Sequence, residues 1–450
     1  MRAPSRGERV AGVVGAAALA TALRVLEASP AVHPLWIYKA MATRTALGAG
    51  GALLLGLAVW SWIRQRGEAA RRRSLAAAGR IALAAASAGI TLVAVEAVLQ
   101  WVSPEPPANW IRPDSTFHHS QRPGIETRFV SSEWDTSVVI NSLGLRDDEL
   151  LPKPVGTTRI VVLGDSYTFG YGVEAAEAFP SVLERLVAGR DPAVDVVNAG
   201  IPSYSPTLEY LWLRERWEQV APDIVVLPLD MSDFQDDLWF EDLAVYDAEG
   251  RLERVRPSPR PGRIESLYKD LLLVRMFRSV LDRAYARLRS GEELDLPQTR
   301  DLARNRFALT RDDLTPADSE PHWRRTLGWM EAIADLAAAR SARLLVMTYP
   351  YGHQARVDEW ESGRQHYGFA GDKVYPATPG ERLEAWAGDV GVPALNLFPT
   401  LRQQADGTFY FAWDGHFTPA AHLLAGTELH RRLAELGWLG TPSPPPSSAR

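Results

Sequence analysis

The chain has 450 residues and a formal net charge of −6, a length that suits two or three structural units and a full hydrophobic core. Its charges gather into no strongly basic domain, which argues against a nucleic-acid binder. Cysteine is absent, so disulfides, thiolate metal sites and cysteine nucleophiles are excluded.

Three apolar runs occupy the first hundred residues. Val10–Ala28 carries Arg24 and Glu27, Thr45–Ile63 carries no charge beside its helix-long apolar stretch, and Ile81–Trp101 carries only Glu96. Each approaches the roughly 20 apolar residues that a spanning helix needs. The first run follows Arg2, Arg6 and Arg9 and also reads as a signal peptide. Trp36, Trp60, Trp62 and Trp101 lie within or at the ends of these segments, where an amphipathic ring suits a membrane interface. Arg64, Arg66, Arg71, Arg72, Arg73 and Arg80 fall between the second and third runs. Such a cluster marks a cytoplasmic loop and is compatible with anionic lipid. Residues 1–103 are thus expected to form a multi-pass module in the cell membrane, with everything after Pro104 extracytoplasmic.

Ser103–Pro113 is proline-rich and reads as a stiff linker. Residues 104–140 form the linker and lead-in, with short strands at Thr127–Val130 and Ser137–Ile140. Asn141–Leu150 turns around Gly144, and Pro152 and Pro154 stop any helix. Strands and helices then alternate: a strand at Arg159–Leu163, a helix at Phe179–Val187, a strand at Val194–Asn198, a helix at Leu208–Gln219 and a strand at Ile224–Leu229. After a gap come a helix at Pro321–Ala339, a strand at Leu344–Thr348, a helix at Glu381–Asp389, a strand at Pro393–Leu397 and a helix from Pro419 to Leu436. Wholly apolar strands alternating with helices predict a parallel sheet covered on both faces. An insertion at about 238–318 breaks the rhythm. Its basic, leucine-rich helix Leu267–Leu288 is expected to pack on the core, with association with anionic lipid as the sharper option. The domain is expected to run over 141–440, followed by a low-complexity tail at 441–450.

Ligands of open parallel sheets gather at the carboxyl ends of the strands. There the chain places Gly164-Asp165-Ser166-Tyr167-Thr168-Phe169-Gly170, then Asn198-Ala199-Gly200, then Asp230-Met231-Ser232-Asp233. Asp414-Gly415-His416-Phe417-Thr418-Pro419 stands near the end. Ser166 at a strand-to-helix turn is a nucleophile in need of a base. His416 titrates near neutrality and can serve as that base. Asp414, two residues earlier, can orient the imidazole. The Ser166 N–H at a helix start and the unobstructed Gly200 N–H are candidate oxyanion donors. Asp165 is expected to cap and support the turn.

LGDSYTFG, NAGIPSY and DGHFTPAAH resemble the first, second and last blocks of the SGNH/GDSL hydrolase superfamily. NSLGLRDDEL ahead of TTRIVVLGDS is similar to its bacterial membrane-anchored members, and the resemblance covers about Asn141 to Leu436. It implies a flavodoxin-like α/β/α sandwich with a parallel sheet. It also implies a triad of Ser166, His416 and Asp414 with Gly200 as oxyanion donor. Where the family's third block carries an Asn-Asp pair, this chain has Ser232-Asp233, so Ser232 is the third oxyanion candidate. The commonest family spacing puts the Asp three residues before the His, where this chain has Trp413; the shorter Asp-x-His spacing resembles members that act on acetylated polysaccharides.

The function expected is hydrolysis of a small acyl ester on an envelope glycan through an acyl-enzyme, with no metal or organic cofactor and with the bilayer as partner. O-acyl transfer by the same triad and an inactive membrane-tethered glycan-binding scaffold are the alternatives. Asp230, Asp233, Asp236 and Asp237 read as a hard-cation site or, more simply, as a solvated loop and helix cap. Gly170-Tyr171-Gly172 lacks the dinucleotide fingerprint. His118, His119, His353 and His366 form no metal spacing. Trp360, Trp386 and Trp413 are available for sugar stacking or core packing.

Overall fold

The computed structural model describes residues 68–102, 110–189, 193–258, 301–302 and 305–439. The runs Val10–Ala28 and Thr45–Ile63, the helix expected at Leu267–Leu288 and the C-terminal tail lie outside the described residues. The chain divides into two compact units, Met1–Ala94 and Val95–Arg450. The third apolar run falls on a helix, Glu68–Val102. Leu83, Ile90, Leu92 and Val93 on it are more than half exposed. No helix among the described residues is long and apolar enough to cross a membrane.

Two antiparallel hairpins open the second unit: β1 (Ile111–Asp114) with β2 (His118–Gln121), and β3 (Glu126–Val130) with β4 (Asp135–Val139). The second hairpin falls where the two short strands were expected, and the first, at Ile111–Gln121, is additional to them. Next come β5 (Thr158–Val162), β6 (Val194–Asn198) and β7 (Ile224–Leu229), then a third hairpin, β8 (Ala244–Tyr246) with β9 (Leu252–Val255), inside the expected insertion. β10 (Arg343–Thr348) and β11 (Ala394–Asn396) follow. The parallel sheet has the order β6-β5-β7-β10-β11. That is the flavodoxin-like order, whose direction reverses between β5 and β7. Ile160–Val162 and Ile224–Leu227 are fully buried, as strands covered on both faces must be. Pro228 interrupts β7 without loss on the β5 side, where pairing ends at Val226 and no donor is needed beyond it.

Helix Phe179–Ala188 packs on Pro419–Glu435, and Pro206–Val220 on Pro316–Ala339. The last begins five residues before the expected Pro321. Thr315 caps it, with Asp318 reaching back to complete a capping box, a stronger start signal than a proline.

The Asn141–Leu150 segment fastens the sheet to the hairpins. Asn141 Oδ1 accepts from the Leu143 and Leu145 N–H groups at 3.0 and 2.9 Å, and its amide donates to Asp148 O. Arg146, only 2% exposed, donates to the carbonyls of Ser137, Gly170 and Val173 at 2.6–2.8 Å. Asp147 accepts from Asn198 N–H at the end of β6 at 2.9 Å.

Burial pushes the Asp147 carboxyl from 3.8 up to about 7, the N–H bond notwithstanding. The native state therefore keeps a proton that the unfolded chain releases between about pH 4 and 7, and this group's contribution to stability falls as pH rises through that window. Asp147→Asn removes the titration. Urea midpoints of the wild type should drop more steeply from pH 4 to 8 than those of the variant. Parallel profiles would show that Asp147 is not held neutral.

Candidate active site

The turn after β5 presents Ser166. Gly164 has φ +129°, and a Cβ there would lie 2.1 Å from Thr168 Oγ1. Only glycine fits this bend. A single helical turn, Ser166–Phe169, follows. Asp165 caps it by accepting from Tyr167 N–H at 2.8 Å, and Gly170 ends it in the left-handed region. Phe169 packs with Phe129, Val138 and Ile140 of the second hairpin in a small core of its own, so that hairpin braces the nucleophile's turn.

At the other end of the chain, residues 409–418 fold back as a tight loop. Glu359 accepts from the N–H groups of Phe409 and Tyr410, and Phe411 N–H donates to His416 O. Ser166 Oγ lies 2.7 Å from His416 Nε2, and His416 Nδ1 hydrogen-bonds Asp414 Oδ1. With the Nδ1 proton facing the carboxylate, Nε2 is left as the acceptor for the serine hydroxyl. Burial alone would raise the Asp414 carboxyl, but the His416 charge and hydrogen bonds outweigh it and hold it below its usual range. Tyr167 and Tyr171 flank the imidazole with ring centroids 4.8 and 5.1 Å away, and Tyr167 OH donates to Gly415 O at 2.9 Å. The neighbouring His422 is fully buried and pushed down by that burial to about 3. It is a neutral imidazole that accepts from Phe179 N–H.

The three expected oxyanion donors stand differently. Among the described residues nothing accepts the Ser166 N–H, which leaves it open beside the nucleophile. The Gly200 N–H is taken by Asn198 Oδ1 at 3.0 Å. Glycine is required at 200 for another reason: a Cβ would lie 2.3 Å from Phe169 N and 2.6 Å from Thr168 C. The β6 loop thus lies directly against the nucleophile's turn. Ser232 turns both its N–H and its hydroxyl onto Asp230 Oδ1, at 2.5 and 2.7 Å, and holds that loop closed.

The acidic residues after β7 are not solvated. Asp230, Asp233 and Asp237 are at most 3% exposed, and Asp165 and Glu209 are buried with them. Burial first, and the neighbouring carboxyls second, push Asp165, Glu209, Asp233 and Asp236 well up. No group of three or more such ligands among the described residues could hold a metal ion. For those four carboxyls the neutral form is favoured. Asp237 is satisfied by Ser205, Thr207 and Thr326 hydroxyls at 2.6–2.7 Å, which ties helix Pro316–Ala339 to the sheet's edge. Of the tryptophans, Trp360 and Trp386 are core residues, whereas Trp413 is 59% exposed beside Asp414.

Sequence patterns gave no sign of Glu133, in the turn between β3 and β4. Its two carboxylate oxygens accept from Trp413 N–H at 3.0 Å and Asp414 N–H at 2.9 Å. They fix the backbone that carries the triad's aspartate. His119 was likewise silent. Its Nε2 donates to Pro202 O at 2.9 Å, and its Nδ1 faces His118 Nδ1 at 2.8 Å. It braces the β6 loop from outside.

Glu133 is a positioning residue, so its loss should act on turnover. Misplacing a reacting group by an ångström can cost up to about a hundredfold in rate. Glu133→Ala should lower kcat about ten- to a hundredfold with KM little changed, and Glu133→Gln should recover part of it through one remaining acceptor. Steady-state kinetics on a chromogenic ester decide this. An unchanged kcat in Glu133→Ala would remove Glu133 from the positioning of Asp414.

Residues 162–424 match the GDSL-like Lipase/Acylhydrolase family. No curated protein matches the chain. Among solved structures, the lipase/acylhydrolase from Enterococcus faecalis is similar at 17% identity, with 64% of this chain and 100% of that chain covered and a TM-score of 0.33. An α/β hydrolase from the metagenome of Lake Arreo, Spain, is 14% identical over 63% of this chain and 97% of its own, TM-score 0.34. The acetyl xylan esterase AlAXEase is 11% identical over 60% and 97%, TM-score 0.31. The family match spans more than half of the 450 residues and contains Ser166, Asp414 and His416; the chain belongs to the GDSL-like lipase/acylhydrolase family and is an ester hydrolase.

Proposed function

We propose that the protein is a membrane-anchored, extracytoplasmic serine esterase that removes a small acyl group from an envelope glycan. The observation that carries the chemistry is the unbroken chain from Ser166 Oγ through His416 to Asp414. Ser166 Oγ attacks the ester carbonyl while its proton passes to His416 Nε2. The tetrahedral oxyanion develops beside the open Ser166 N–H. Asp414, held ionised, stabilises the imidazolium. His416 then gives its proton to the departing sugar oxygen, leaving an acyl-enzyme. Water enters, loses a proton to His416, attacks the acyl carbon and releases the acid and free Ser166.

Trp413 supports the glycan reading. A large ring left open to solvent next to the triad is a platform for a pyranose face. The membrane reading draws on the arginine cluster Arg64–Arg80 between apolar runs and on the exposed Leu83, Ile90, Leu92 and Val93. Apolar side chains spread along one helix cost less free energy in lipid than in water.

Two measurements test these readings. The full chain in detergent should release acetate from an acetylated polysaccharide and hydrolyse p-nitrophenyl acetate faster than the octanoate. Ser166→Ala and His416→Ala should lose turnover and fluorophosphonate labelling, about four orders of magnitude or more in rate. Turnover surviving in Ser166→Ala would end the triad reading, and a preference for long acyl chains would end the small-acyl one. For topology, the native chain has no cysteine, so a single cysteine introduced at exposed Ser142 should react with an impermeant maleimide on intact cells. A cysteine at Ala69 should react only after lysis. Reversed labelling would overturn the orientation.

A further inference from the structure

Arg306 has no part in the chemistry just described, yet it belongs to the same place. Its guanidinium lies 5.0 Å from the centroid of the Phe307 ring. Phe307 packs edge-on to Tyr351 at 5.4 Å and tilts against Trp360 at 5.3 Å. Tyr351 leans on Tyr167, the ring that flanks His416, and Trp360 donates to Trp413 O, the residue before Asp414, at 3.1 Å. Arg306 therefore stands at one end of a run of aromatic rings that reaches the triad. Its charge is felt by Asp414 and Asp236 and it feels Tyr167, Tyr351 and Asp230 in return.

This arginine is exposed, and among the described residues it makes no ion pair or hydrogen bond. The carboxylates around it are otherwise engaged. Asp414 is bound to His416, Asp230 receives Ser232, and burial favours the neutral form of Asp236. A counter-charge to the acidic cluster would be expected to touch it. A planar fork of five donors left open at the end of that run instead matches an incoming carboxylate, which it can grip with two parallel bonds.

We propose that Arg306 is a specificity-determining residue that selects esters bearing a carboxylate close to the scissile bond. The carboxylate belongs either to the sugar, as in a uronate, or to the acyl group, as in a half-ester. The inference rests on Ser166 as the nucleophile only for its kinetic arm.

That arm uses the full chain in detergent and two substrate pairs. Mono-p-nitrophenyl succinate against p-nitrophenyl butyrate reads a carboxylate on the acyl side. An acetylated glucuronate against the acetylated glucose reads one on the alcohol side. The wild type should favour the anionic member of one pair in kcat/KM by about ten- to a hundredfold, the range for a hydrogen bond to a charged group. The preference should shrink with added salt, vanish in Arg306→Ala and invert in Arg306→Glu. A preference that survives in Arg306→Ala, or none in either pair, overturns the proposal. The second arm needs no turnover. In a Ser166→Ala background, titration calorimetry with glucuronate against glucose, and with succinate against butyrate, should show the same discrimination, and Arg306→Ala should erase it. Equal binding within both pairs overturns the proposal. If the wild type hydrolyses no ester, the Ser166 reading fails while this binding comparison still decides Arg306.

Discussion

The 2.7 Å contact between Ser166 and His416 joins residues 250 positions apart, and the fold is arranged to keep both ends still. On the serine side, the bend at Gly164, the Asp165 cap and the Gly170 stop shape one helical turn, and the β6 loop presses on it at Gly200. On the histidine side, Glu359 and Glu133 gather four backbone N–H groups of the 409–414 loop. The tyrosines at 167 and 171 close over the imidazole from the serine side. A hydrogen bond of this kind contributes only about 1 kcal/mol net. Its constancy comes from the two scaffolds.

Two kinds of carboxyl group meet at this centre, separated by environment rather than by type. Asp165 is adjacent to the nucleophile and Asp414 is two residues from the base, and both are largely removed from water. Asp414 has a partner that can become a cation, so its ionised form is favoured. Asp165 faces Asp230 and other acids, so its neutral form is favoured. Desolvation pushes both the same way and the partner decides. The neutral forms favoured for Asp165, Glu209 and Asp233 lessen the anionic field at the nucleophile, which would oppose the developing oxyanion.

The sheet was legible because β5, β6, β7 and β10 are short and largely apolar, the first three rich in Val and Ile, and each is bounded by turn residues. The grouping of Ser166, His416 and Asp414 was legible because it depends on the ends of those strands. Three things were not. β1 and β2 are polar strands, His118–Gln121 among them, and carry no alternation that separates them from a loop. The buried acids looked like surface because composition favours exposed aspartate. Burial came from helix Pro316–Ala339, which arrives from far along the chain. Glu133 and Arg306 belong to no motif, since their roles follow from contacts with residues hundreds of positions away or from a cleft wall. Gly200 and Ser232 were read as donors because their neighbours permit it; the structure spends their hydrogen bonds on Asn198 and Asp230.

The base, its aspartate and the helix Pro419–Glu435 that packs on Phe179–Ala188 all come from the last tenth of the chain, while Glu133 and Ser166 come from its first two-fifths. Contacts of such sequence separation close late, because the intervening loop must lose its entropy first. A polypeptide still emerging from the ribosome can assemble β5, β6 and β7 and expose Ser166, but it has no imidazole to activate it. Reactivity arrives only once Asp414 and His416 have been made and folded back, so a chain cut before them is chemically silent.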